Sequence, residues 1–342
     1  MRGAVILSLA ASGAALSASM LLACYTGGPA DDRPSDRDAP AGATPRLSRS
    51  PTVIATGVLA GGLAVDETNA YWTDRGGSAV WKISLLDVSL PVALASSQDG
   101  GTGIAVDTTS VYWAANGALM KVAIGGGTPV KLATIEASSF GFSISTVGIV
   151  VDATHVYWST YELSSGDVVV ARGSIMKVPL AGGTPTSLAT TNDGITAIAI
   201  DARKIYARAG GKVLAVPLGG GTPAILHESD APAAGVAVNS LAVYSASTDG
   251  QVVAIPFDGA PSRLLASGQR YMYRLAADET GPFWTSEDGN GGTNLTMSRG
   301  GNTVPLANFP RPATDLTGLA VGPTAVICSS SSAGKIWATA KP

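Results

Sequence analysis

Gly103–Thr134 reads GIAVDTTSVYWAANGALMKVAIGGGTPVKLAT. Four short runs lie in it: GIAVD, VYW, LMKVAI and VKLAT, the last two separated by the Gly-rich GGGTP. The runs are β-branched or alternating, and Gly, Pro, Asp or Thr bound each one. These are strand and hairpin signals. No window beyond the first residues keeps a helical period of 3.6.

The first two runs recur along the chain. GLAVD at Gly62–Asp66 precedes Tyr71-Trp72, and GIVVD at Gly148–Asp152 precedes Tyr157-Trp158. AIAID (Ala197–Asp201) precedes Tyr206, and GVAVN (Gly235–Asn239) precedes Tyr244. RLAAD (Arg274–Asp278) precedes Phe283-Trp284, and GLAVG (Gly318–Gly322) precedes Val326-Ile327. Counting Gly103–Asp107, that makes seven copies. Their last residues are separated by 41, 45, 49, 38, 39 and 44 positions. Third and fourth runs follow, as in IMKVPL-AGGTP-TSLAT (Ile175–Thr190) and VLAVPL-GGGTP-AILHE (Val213–Glu228).

Four short strands every ~42 residues is the signature of a β-propeller blade. A small first run suits a strand crowding a central axis, and a Tyr-Trp run suits the wedge that widens outward. The seventh copy has three runs only, and an orphan, PTVIATG at Pro51–Gly57, precedes the first. The expectation is therefore an all-β, seven-bladed propeller over 51–342, closed by an N-terminal strand in the last blade. Closure of this kind removes two open sheet edges.

Composition narrows the function. The 342 residues include 22 Lys+Arg and 25 Asp+Glu, a net charge of −3 with no basic block, so no nucleic-acid partner is expected. Two Cys and two His exclude a Cys/His zinc site and a disulfide-dense scaffold.

The first residues, MRGAVILSLAASGAALSASMLLAC, place Arg2 ahead of a short apolar stretch with no basic stop-transfer cluster behind it, which reads as a secretory signal. Its end, Leu21-Leu22-Ala23-Cys24, resembles the lipobox of bacterial lipoproteins. The resemblance implies cleavage after residue 23 and lipidation of Cys24. Acyl chains contribute ~0.8 kcal/mol per buried methylene, enough for two or three of them to hold a protein on a membrane. Tyr25 follows, not the Asp that retains such proteins at the inner membrane, so the expected location is extracytoplasmic, on a Gram-negative outer membrane. Residues 24–50, rich in Pro, Gly, Asp and Arg, read as a flexible tether with a reach of roughly 25–30 Å.

The repeat as a whole resembles the YWTD repeat of lipoprotein-receptor propellers and, more broadly, NHL-like and TolB-like propellers; Tyr71-Trp72-Thr73-Asp74 spells it out. Only the first copy keeps the final Asp, and those receptors have six blades. The resemblance implies a binding platform, although related propellers include lactonases and lyases.

The recurring carboxylates Asp66, Asp107, Asp152, Asp201 and Asp278 admit two readings: a partial ring able to hold a hard cation such as calcium, or acceptors for the amides of their own turns. The second is preferred, because the residues recur in blade after blade and Asn239 substitutes for one. His155 occupies a tolerant turn slot, His227 an outermost strand, and Cys328 the Trp slot of the last blade, so no catalytic triad, cofactor or disulfide is expected. Ser286–Asn294, SEDGNGGTN, reads as a polar hairpin, not a calcium loop.

Two segments break the period and read as inserted loops: Ile135–Val147 and Tyr161–Gly173. Both flank the third blade. Phe140, Phe142, Tyr161 and Glu162 are accordingly the candidate ligand-binding residues. The expected function is a membrane-anchored, non-catalytic binding or scaffold module whose partner is an envelope protein or cell-wall component. The alternative is a metal-assisted enzyme of lactonase or lyase type.

Overall fold

The computed structural model describes residues 48, 50–87, 89–98, 101, 103–135, 143–163, 171–313 and 315–341. All regular structure in them is β. Seven antiparallel, four-stranded sheets form, and in six of them the strands follow chain order. The seventh combines Leu316–Val321, Ala325–Ser330 and Lys335–Ala340 with Thr52–Thr56 as its outermost strand. Thr52 faces Ala338 and Thr56 faces Lys335, so the ring closes as the sequence implies.

Side-chain size sorts the strands by distance from the axis. The inner strands are Ala60–Val65, Ile104–Val106, Ser143–Val151, Ile195–Ile200, Ala233–Val238, Arg270–Asp278 and Leu316–Val321. All seven line an axial channel of about 260 Å³. Neighbouring blades nearly touch there. A β-carbon on Gly103 would lie 3.0 Å from Ile149, one on Gly148 2.8 Å from Ile198, and one on Gly318 2.8 Å from Leu63. The leading glycine of the repeat thus leaves room for the next blade's Ile or Leu.

Second strands such as Ser110–Ala115 and Ala325–Ser330 are buried along their whole length, because a blade lies against each face. This is why they read as bulky apolar runs rather than as an alternation. Trp72, Trp113, Trp158 and Trp284 are the largest side chains buried there. Outermost strands such as Val130–Thr134 expose half their residues. The core is accordingly a set of slabs between blades. One joins Trp72 and Ile83 of the first blade to Ile327, Ile336 and Ala338 of the seventh. Another joins Tyr112 and Leu119 of the second to Trp158 and Val178 of the third.

Lysines stitch these slabs together. Lys82 Nζ donates to the Ile124 carbonyl (2.8 Å), Lys121 to that of Leu180 (3.2 Å) and Lys177 to that of Leu218 (2.9 Å). Each reaches one blade forward, which accounts for the Lys of the repeated KV pair.

Candidate functional site

The turns from inner to second strand gather at one end of the ring, and there the recurring Asp is committed to its own blade. Asp107 Oδ1 accepts the amides of Thr109 (2.7 Å) and Ser110 (2.8 Å), while Oδ2 accepts the Tyr112 hydroxyl (2.7 Å). Asp66 binds Thr68, Asn69 and Tyr71 in the same way, Asp152 binds Thr154, His155 and Tyr157, and Asp201 binds Arg203, Lys204 and Tyr206. Asn239 keeps the arrangement with its amide, taking Leu241 and Ala242 on Oδ1 and donating to Tyr244.

In the sixth blade Phe283 replaces the tyrosine. The freed carboxylate oxygen of Asp278 pairs instead with Lys341. Burial opposes ionisation of Asp66, Asp107, Asp152 and Asp201, but the tyrosine hydroxyls and turn amides outweigh it and hold all four below the usual carboxylate range. The partner tyrosines are raised, by burial first and by the adjacent carboxylate second. Both oxygens of these carboxylates are engaged within the blade, and no three of His, Cys, Asp and Glu converge into a metal cage among the described residues.

The opposite end carries the turns from second to third strand and the connections between blades. Here the inserted-loop reading is corrected. Ser143–Val147 belongs to the inner strand of the third blade, and residues 161–163 and 171–173 extend its second and third strands. The two insertions pair with each other, Ser143 facing Leu163 and Ser145 facing Tyr161, and the second also pairs with itself, Glu162 facing Arg172. Strand alternation hides this in a sequence when the pairing partners lie far apart along the chain.

Alternation also separates the candidate residues. Tyr161 points toward the fourth blade, where its ring covers Gly194 so closely that a β-carbon there would lie 1.9 Å from Cε2. Glu162 points the other way, into a cleft of about 630 Å³ between the second and third blades. Leu132, Ile135, Trp158, Thr160, Ser174 and Met176 line that cleft, with Lys131 at its edge. Phe140, Phe142 and Cys24 lie outside the described residues.

The remaining sequence candidates take structural places. The His155 ring meets the Thr154 hydroxyl at 2.7 Å, and His227 sits on the outermost strand Ala224–Glu228. Cys328 packs into the apolar slab with Phe309 and Met297, and burial pushes its thiol up to about 12. GGGTP at 125–129 is a hairpin turn, with Gly126 and Gly127 at φ 92° and 133°. Asp288 closes the Ser286–Asn294 hairpin by accepting the Asn290 and Gly292 amides.

Two arginines went unread in the sequence. Arg208 is fully buried, where other blades carry Thr73 or Ala114. Only its Nη1 is bonded, to the Gly211 carbonyl at 3.2 Å, while Nε and Nη2 find no acceptor among the described residues. Burial pushes this guanidinium down to about 10, with Asp249 acting the other way. Arg274 lines the axial channel at the slot that is glycine in five of the seven blades. Its signal was the first letter of RLAAD.

No protein-family model and no curated protein sequence matches the chain. Solved structures do. A computationally designed protein, Ika8, is 14% identical over 86% of this chain and 100% of its own, with a TM-score of 0.62. The WD40 β-propeller domain of Doa1 is 10% identical over 87% of this chain and 98% of its own, TM-score 0.63. PorZ of Porphyromonas gingivalis, described as an essential bacterial surface component of the type-IX secretion system, is 12% identical over 85% of this chain, TM-score 0.61, but only 39% of PorZ is covered. At such identities the likeness is one of fold. The class defined is the seven-bladed β-propeller.

Proposed function

We propose that this chain is a non-catalytic binding module, held outside the cytoplasm by a lipid on Cys24 and presenting one end of its propeller to an envelope protein or cell-wall component. One observation carries the reading: the repeated carboxylates of four blades are spent on their own turns, while the longest departures from the repeat, the blade-three ribbon and the blade-six bulge, lie at the opposite end. A regular scaffold with irregular loops on one face is how repeat proteins carry specificity. The cleft beside Glu162 is of the size that holds a side chain or a short segment of a partner. WD40 domains and the bacterial surface protein PorZ share the fold, which is consistent with a scaffold role and leaves the partner open.

The test is co-purification from native membranes, comparing the native chain with Glu162→Lys and Cys24→Ala. The expected result is a specific partner that Glu162→Lys loses, and release of Cys24→Ala from the membrane fraction. Retention of Cys24→Ala in detergent-only extracts rejects the anchor. A stoichiometric divalent ion whose removal abolishes ligand binding would turn the reading toward the metal-assisted enzyme.

A further inference from the structure

The sixth blade departs from the others in three places at the axis. In blades one, three, four, five and seven the inner strand makes a one-residue bulge just before the repeat's first letter, as between Ala60 and Gly62. In blade six, Tyr271, Met272 and Tyr273 stand opposite Ser286 alone, so the bulge is longer. Tyr271 takes a φ of 40°, a left-handed conformation that bulky residues avoid, and is 71% exposed. The residue that follows this bulge is Arg274, where five blades have glycine.

Strain at such a spot indicates function when a neighbouring group shows what it serves. Here that is a cation with spare donors in a polar channel. A guanidinium carries five N–H donors. Among the described residues Arg274 uses one, donating from Nη1 to the Tyr273 carbonyl at 2.9 Å. Its side chain is exposed to solvent at the channel mouth. Arg75, on the second-to-third turn of blade one, bonds through its amide to the Leu59 carbonyl (3.0 Å), two residues before Gly61 of the channel lining, and adds a second positive charge at this end.

No ion pair joins Arg274 to an acid among the described residues. Asp74 accepts the Leu59 and Gly76 amides, Asp288 accepts from Asn308, and Asp315 accepts from Ser330 and Ser332. Glu287 and Asp315 bear on Tyr273, not on Arg274.

We propose that this channel mouth binds the oxyanion of a small molecule, a carboxylate or phosphate group, on the Arg274 guanidinium with Arg75 as the second cation. The channel volume, about 260 Å³, lies at the low end for ligand sites and limits the ligand to a small one. Glycines of five other inner strands leave the approach open, and Thr196 and backbone groups supply further polar lining. Arginine is suited to the task because its planar fork matches two oxygens of either anion. Protein walls and Arg75 hold the free guanidinium below its ordinary value, a penalty that a bound anion relieves. This site is separate from the cleft beside Glu162 and does not depend on it.

The experiment is isothermal titration of the purified chain with inorganic phosphate and, separately, with citrate, at constant ionic strength. The native chain should bind one or both saturably at one site, with a melting temperature that rises with ligand. Arg274→Gly writes in the residue five blades already carry, so it should fold with an unchanged far-ultraviolet spectrum while losing at least tenfold in affinity. Arg75→Ala should lose several-fold. Phosphate alone binding identifies a phosphate site, and citrate alone a carboxylate site. Absence of saturable binding by either, or equal affinity in folded Arg274→Gly, overturns the proposal.

Discussion

At the turn end of the ring, four blades repeat one clasp in which an Asp holds two amides and a tyrosine hydroxyl, and a fifth copies it with Asn239. At the connection end the blades diverge. Blade three lengthens into a ribbon through Leu163 and Ala171, blade six bulges around Tyr271, and blade four buries Arg208. This shared clasp fixes how five of the seven inner strands turn into their neighbours. The other end is thereby free to vary, because a change there does not alter the angle at which the next blade starts. The repeated face carries stability and the opposite face carries the variation, a division that substitutions on each face can break.

The largest effect should come from opening the ring, on which both ends depend. Deleting Thr52–Thr56 strips the outer strand from the last blade, removes buried Ala55, and leaves the Lys335–Ala340 edge unpaired. The loss should exceed ~5 kcal/mol, or more than about 10 °C in melting temperature, with aggregation. Differential scanning calorimetry decides it, and an unchanged melting curve would mean that closure contributes nothing.

Next comes the clasp. Asp107→Ala leaves two amides and the Tyr112 hydroxyl without their acceptor. Unmade bonds of this kind cost about 2–3 kcal/mol, some 4–8 °C. Tyr112→Phe removes one bond and should cost about 1 kcal/mol.

The pH profile follows from the same groups. The Asp carboxylates lie below their ordinary value near 3.8 in the folded chain, so their contribution is complete above that pH and is lost as pH falls through the folded values. The tyrosines are raised above 10.0, so theirs is complete below pH 10 and is lost as pH rises past it. Denaturant midpoints measured from pH 2 to 11 should therefore show a plateau between about 4 and 10, with shallower flanks in Asp107→Asn.

How much of this the sequence carries depends on whether the signal is repeated. Gly103, Asp107, Tyr112 and Trp113 recur in register, and recurrence in seven copies reveals blade number, strand order and closure, because each blade solves the same packing problem. The Asp–Tyr clasp was half legible: the turn role of Asp107 follows from its position, but the bond to Tyr112, five residues on, needs the hairpin's geometry. Residues that occur once gave little. Ser143–Val147 and Tyr161–Leu163 read as loops because their partner strands are separated in the chain and neither copies another blade. Arg274 and Arg208 looked like worn copies of a pattern, since a single substitution in a repeat carries the same letters whether it has drifted or acquired a role.

A smaller effect should mark the seam between ribbon and scaffold. A methyl at position 194 must push the Tyr161 ring aside, so Gly194→Ala should cost about 1 kcal/mol, and Tyr161→Ala should largely cancel that penalty in the double variant. Additive effects would show that the ring does not rest on Gly194.

The smallest stability change is expected at the tip of the blade-three ribbon. Replacing Leu163–Ala171 by Asn-Gly closes the ribbon directly after the Glu162–Arg172 pair. The replacement leaves Tyr161 over Gly194, and Gly173 against Ile195 where a β-carbon would lie 2.6 Å away, so the slab between blades three and four is untouched. The melting temperature should stay within about 2 °C, since surface changes away from packed groups are usually within ±0.5 kcal/mol. Cutting further, through Tyr161 and Gly173, should cost several degrees, because those two residues belong to the scaffold. If the short cut already destabilises the domain, the ribbon is part of the frame. If it leaves both stability and partner capture intact, the ribbon tip takes no part in binding, and the cleft beside Glu162, whose lining the cut spares, is the next place to change.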